Sequence, residues 1–302
     1  MSSEDITKTS SSSIERSKSL IQRYKKASRK DILLFVVQPL LAEFFTMVLH
    51  TFWGSMVTPP TSTLTYSAIN RTIHPQEWAA DYVVSALMPA FQAGFAVWMF
   101  IVLFWKICII NFNPAISTGL LITGVLSPWL YIPYIIMQCL GSVLGAVIAQ
   151  AIKGDEPGPF LIADDANIAA IFCCEVMITG TMVFFTNVMV VDKTYDQATG
   201  PLAIGITVFQ GIIAGKWIGS GGLNPARAFG PAVVLGGRAW NHHWVWWVGD
   251  LGGAILFSVI YMCFFAPADK VWMVKVNAFF SSTAPQNTND RTSRRTDVNL
   301  EM

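Results

Sequence analysis

The tripeptide Asn-Pro-Ala occurs twice, at Asn113-Pro114-Ala115 and at Asn224-Pro225-Ala226, and Arg227 follows the second copy. An Asn side chain carries an acceptor oxygen and two N–H donors. Its oxygen can cap the first turn of a helix. Pro at the next position lacks only an N–H that would have had no helical partner, and its φ is already helical. The amide donors of Asn113 and Asn224 can each reach the oxygen of a water molecule. A water accepting from both must turn its hydrogens outward along a single file, which interrupts a proton wire. Arg227 keeps its charge and offers fixed donors. Glu43 and Glu175 are ionisable groups inside apolar runs, where charge is costly and by default functional. There is no nucleophile–base pair, no glycine-rich phosphate loop and no basic-aromatic surface, so neither an enzyme nor a nucleic-acid binder is expected. His50, His74, His242 and His243 make no metal spacing, and no cofactor or metal is expected.

Such residues need elements to carry them, and composition says where those elements lie. The chain has 302 residues, 53% hydrophobic and 13% charged, with net charge +1 and mean hydropathy +0.48. Soluble domains carry about 25% charged residues, so this is a polytopic membrane protein by composition. A spanning helix needs about 20 mostly apolar residues. Spans are expected near 32–57, 82–108, 127–152, 166–191, 201–218 and 243–266. Two further apolar pieces, 113–123 and 224–235, start at the Asn-Pro-Ala sites and are too short to cross. They read as re-entrant half-helices, which a bilayer tolerates only where protein or water covers the irregular backbone. Their positive ends would face a wet centre and oppose cations, hydronium included.

The halves echo each other. Glu43 in the first span matches Glu175 in the fourth, and Phe112 to Ala115 matches Leu223 to Ala226. Trp129, Gly141 and Gly145 match Trp247, Gly249, Gly252 and Gly253. Gly141, Gly145, Gly252 and Gly253 are read as sites of close helix crossing. Each half holds three spans, an odd number, so the second half enters the membrane inverted. Such repeats put the functional site at the midplane between halves. The expected architecture is an all-α membrane protein of six transmembrane helices and two half-helices, with a channel domain at 32–266 (repeats about 32–152 and 166–266) between tails 1–31 and 267–302.

Eight Lys and Arg residues precede the first span, which favours cytoplasmic termini. The acidic connection 154–165 suits the outside, as does 58–81, where Asn70 heads a possible glycosylation sequon. The Ser-rich tails are expected to be disordered, and Ser17, Ser19 and Ser28 stand beside basic residues. Cys108, Cys139, Cys173, Cys174 and Cys263 sit in or beside apolar segments and suggest no disulfide framework.

These motifs resemble the aquaporins, or major intrinsic proteins. The match runs over about 32–266 and rests on Ala42-Glu43-Phe44, on Asn111 through Ala115, on Glu175, and on Leu223 through Ala232. Arg227 through Val234, then Trp240-Asn241-His242-His243-Trp244, with Leu87-Met88-Pro89-Ala90, are most similar to the aquaporin-8 branch. The resemblance implies a passive channel for water, with ammonia and hydrogen peroxide as further solutes, in a homotetramer, with the plasma membrane the expected location. It implies that Glu43 and Glu175 brace the two loops. Counting without gaps, it places the outer constriction at Ala93, Ile212, Gly221 and Arg227, wider and less polar than in a strict water channel. Two alternatives stay open: a glycerol-permeable channel, and a poorly conducting adhesion or scaffold protein. Ala228, Ala232 and the Trp246-Trp247 pair argue against the first. The sequence departs from the family pattern at Ile109, Ile110, Asn111, Lys216 and Asp250.

Overall fold

A computed structural model describes residues 32–58, 86–104, 107–191, 199–216, 218–267 and 270–272. Nearly all of them lie in one compact unit, Ala27–Lys270; the second unit, 1–26 with 271–302, falls almost wholly outside the described residues. Asn70, His74, Ser17, Ser19 and Ser28 also lie outside them.

Among the described residues eight α-helices follow in order: α1 (Gln38–Val57), α2 (Met88–Phe104), α3 (Pro114–Ile122), α4 (Pro128–Lys153), α5 (Ile168–Val191), α6 (Thr199–Lys216), α7 (Pro225–Leu235) and α8 (Trp244–Ile260). A π-helical turn, Leu33–Val37, leads into α1, and another, Tyr261–Phe265, ends α8. There is no strand among the described residues. Among the described residues four segments are long and apolar enough to cross a bilayer by themselves: Leu33–Val57, Pro128–Lys153, Ile168–Val191 and Gly237–Phe265. Helix α2 has 17 residues and α6 has 18. At 1.5 Å per residue they reach roughly 25–27 Å, close to the ~30 Å hydrocarbon core. The short helices α3 and α7, with 9 and 11 residues, cannot cross.

The packing has two-fold logic. Helix α1 packs on α4 and α5 on α8, while α2 packs on α6 across the centre. Each half-helix packs on the last helix of the opposite half: α7 on α4, and α3 on α8. Glycines let the backbones touch. A Cβ on Gly141 would collide with the carbonyl oxygen of Phe44, and one on Gly253 with that of Val176. The α1–α4 contact is tied by Thr51 and Ser142, whose hydroxyls are 2.9 Å apart. The α5–α8 contact is tied by Thr179 donating to Asp250 (3.0 Å) and Asn187 donating to Ser258 (2.9 Å). Each such link is worth about 0.6 kcal/mol in a membrane. Gly252 departs from the expectation: a Cβ there would meet nothing nearer than a Val176 methyl at 4.0 Å. Gly249, against Glu175 Cβ at 3.0 Å, is the tighter crossing.

The outer belt is apolar. Phe95, Ile136, Leu140, Val248 and Leu256 are all exposed. Polar groups such as Gln138, Ser142, Thr179 and Asp250 lie fully buried instead. A soluble fold distributes them the other way, so this surface is built to face lipid or other apolar surface.

Candidate functional site

The two Asn-Pro-Ala segments fold as their local chemistry dictates. Asn113 has extended backbone (φ −157°), and its Oδ1 accepts from the N–H of Ala115 at 2.8 Å. Asn224 is likewise extended (φ −151°) and accepts from Ala226 at 3.1 Å and Arg227 at 3.3 Å. Pro114 and Pro225 open the helices that follow, and Ala115 and Ala226 are fully buried.

The amide nitrogens do something local rules do not anticipate. Asn113 Nδ2 donates to the carbonyl of Leu223 (2.8 Å), and Asn224 Nδ2 donates to the carbonyl of Phe112 (2.9 Å). The stubs are clasped tip to tip, each holding the other's preceding residue. Phe112 and Leu223 have positive φ, 34° and 51°, which is uncommon for bulky side chains. One N–H of each amide is thus used by protein, and the second remains for a solute.

A buried glutamate stands behind each loop. Glu43 accepts from the backbone N–H of Asn111 (2.7 Å) and Phe112 (2.8 Å), and from Gln138 Nε2 (2.7 Å). Glu175 accepts from Ser220 Oγ (2.6 Å) and from the N–H groups of Gly221 (2.7 Å), Gly222 (2.9 Å) and Leu223 (3.1 Å). Both glutamates have no exposed surface. These bonds hold the residues whose backbone is strained, so each helix-borne carboxyl fixes the loop that aims a stub.

A cavity of about 860 Å³ reaches from the connection around residues 159–167 to the clasp. Asn113, Asn224, Ala93, Ile212, Gly221 and Arg227 all line it. Arg227 is 5% exposed. It donates weakly to the Gly158 carbonyl (3.4 Å) and lies over the Phe160 ring, 5.0 Å from its centroid. Gly54 makes room for it, since a Cβ there would stand 2.8 Å from Nε. No carboxyl pairs with Arg227 among the described residues, so its positive field acts on whatever occupies the cavity. Lys216 and Trp246 also line the wall.

Several wall residues were not anticipated. His50, Met182 and the Gly158–Phe160 segment bear on the cavity or on Arg227. His50 lies seven residues after Glu43, two helical turns on the same face of α1, and that spacing is the signal that could have found it. Of the departures from pattern, Ile110 is buried in the core while Ile109 is exposed. Asn111 turns its amide toward Ser117 Oγ at 3.4 Å.

The Major intrinsic protein family model matches residues 32–261. The chain belongs to that family. Mouse "Aquaporin-8" is 32% identical over 181 residues, covering 58% of this chain and 69% of that protein. "Aquaporin C" of Dictyostelium discoideum is 28% identical over 265 residues, covering 84% and 92%. Among solved structures, the X-ray structure of the aquaglyceroporin from Plasmodium falciparum superposes with a TM-score of 0.58 at 18% identity, covering 74% of this chain and 95% of that one; that likeness concerns the fold. Membership makes this aquaporin-family chain an integral multi-pass membrane channel for passive movement of water and small solutes, not an enzyme.

Proposed function

We propose that the chain conducts water together with ammonia and hydrogen peroxide, driven by their gradients alone. The observation that carries this reading is the clasp of two capped helix N-termini at a cavity walled by Asn113, Asn224 and Arg227. Converging positive helix ends and a fixed guanidinium oppose cations. Neutral solutes exchange one set of hydrogen bonds for another and move on. Ala93, Ile212, Gly221 and Arg227 form the constriction. Three of them are small or apolar, which supports a passage open to solutes somewhat larger than water. Glu43 and Glu175 serve as the braces of the two loops.

The homotetramer is the proposed assembly in the bilayer. The basic N-terminal cluster supports cytoplasmic termini, and the plasma membrane is the proposed location. Stopped-flow measurements on proteoliposomes test the function directly. Water, ammonia and peroxide should cross faster than in empty vesicles, and glycerol much more slowly than water. Glycerol flux rivalling water flux would favour the glycerol channel, and no flux above empty vesicles would favour the scaffold reading.

A further inference from the structure

We propose that His50 is a second hydrogen-bonding station on the solute path, set between the Arg227 constriction and the Asn113–Asn224 clasp. The inference rests on the channel reading above and names a wall residue outside the four positions of the constriction.

The placement follows from α1. Gly54 abuts Arg227, and His50 lies four residues earlier on the same helix face, about 6 Å deeper. Its ring packs against Phe112, with centroids 5.3 Å apart and planes tilted by 56°. Phe112 carries the carbonyl that Asn224 grips. His50 therefore sits at a depth between the two. It lines the cavity while only 6% exposed, and its Nδ1 has no hydrogen-bond partner among the described residues. Because Nδ1 is walled off from solvent, the hydrogen-bonding capacity that His50 offers to what passes through the cavity is that of Nε2, which no described residue holds.

The repeat sharpens the point. Seven residues after Glu43 comes His50; seven residues after Glu175 comes Met182, which also lines the cavity. At the related place in the second half the wall is an apolar thioether. Of the two repeat-related positions, the one nearer Arg227 carries the polar ring. Ala93, Gly221 and His50 line the same cavity, so small residues and one polar ring bound the passage there. A solute must then be small and must offer hydrogen bonds, as water, ammonia and peroxide do.

The test compares wild type, His50→Ala, His50→Phe and His50→Cys in proteoliposomes, with water, hydrogen peroxide and glycerol as probes. His50→Ala should raise the glycerol-to-water flux ratio about fivefold, the effect of one neutral hydrogen bond's discrimination. His50→Phe should cut water flux about tenfold. Flux through the His50→Cys variant should be lost on adding a small methanethiosulfonate reagent, while wild type with its own five cysteines keeps its flux. The thiol variant gives an answer even if the bulky one fails to reach the membrane. Unchanged flux ratios in His50→Ala, or reagent-insensitive flux through His50→Cys, overturn the proposal while leaving the channel intact. A wild type that conducts nothing removes the channel reading, and this one with it.

Discussion

Replacing Glu175 should damage the channel in a graded way. In Glu175→Ala, Ser220 Oγ and the N–H groups of Gly221, Gly222 and Leu223 lose their acceptor. At about 0.5–1.5 kcal/mol net per hydrogen bond, the loss is about 2–6 kcal/mol. The lower end applies if cavity water reaches Gly221 and Gly222, which line the wall; Leu223, 2% exposed, has less access to replacement partners. Glu175→Gln can keep the three donors at Oε1 and loses only the Leu223 bond at Oε2, leaving one orphaned N–H at about 1–3 kcal/mol. Taking ~2 kcal/mol at ~2 °C each, Glu175→Ala should lower the Tm in detergent by at least about 4 °C. It should also abolish most water flux, because Gly221 and Arg227 ride on the freed loop. Glu175→Gln should fall between it and wild type in both readouts. Equal Tm and flux for Glu175→Ala and wild type would refute the bracing role, and so would equal damage from the two variants.

Other substitutions separate charge, size and packing. Arg227→Ala removes a buried guanidinium that no carboxyl among the described residues neutralises, so cation or proton leak through proteoliposomes should rise while water flux persists; unaltered leak would place the charge barrier elsewhere. Ala93→Phe should narrow the constriction, lowering peroxide flux more than water flux in the same vesicles. Asn224→Asp keeps the cap acceptor but cannot donate to Phe112, so the clasp loses about 1 kcal/mol or more and thermal stability should drop even though α7 remains capped. Gly253→Ala should destabilise the α5–α8 contact strongly and Gly252→Ala hardly at all, since only the first Cβ meets backbone; a shared Tm would contradict that packing.

Much of this architecture was legible because it is local. Asn113 and Asn224 cap their helices through atoms two and three residues away, and the two half-helices begin where Pro114 and Pro225 follow them. Hydropathy located the spans because apolar length is what a bilayer demands. The rest depended on which way a face points. The crossed amide bonds need positive φ at Phe112 and Leu223, against the ordinary preference of those residues, and only tertiary support from Glu43 and Glu175 permits it. His50 read as a histidine without metal partners because nothing in a string of residues says which face of α1 meets a cavity. The glycine echo treated Gly252 and Gly253 alike, although a helix turns about 100° between neighbours and only Gly253 lies against the backbone of α5.

The clasp also bears on how the chain is made. The acceptor for Asn113 lies 110 residues downstream, which at 5–20 residues per second emerges roughly 5–20 s later. Over that interval the first stub lacks its counterpart, and α4 lacks the α7 surface it packs on. The nascent first half must therefore be sheltered by the insertion machinery, or wait with its tip hydrated, until the second half arrives to close the junction.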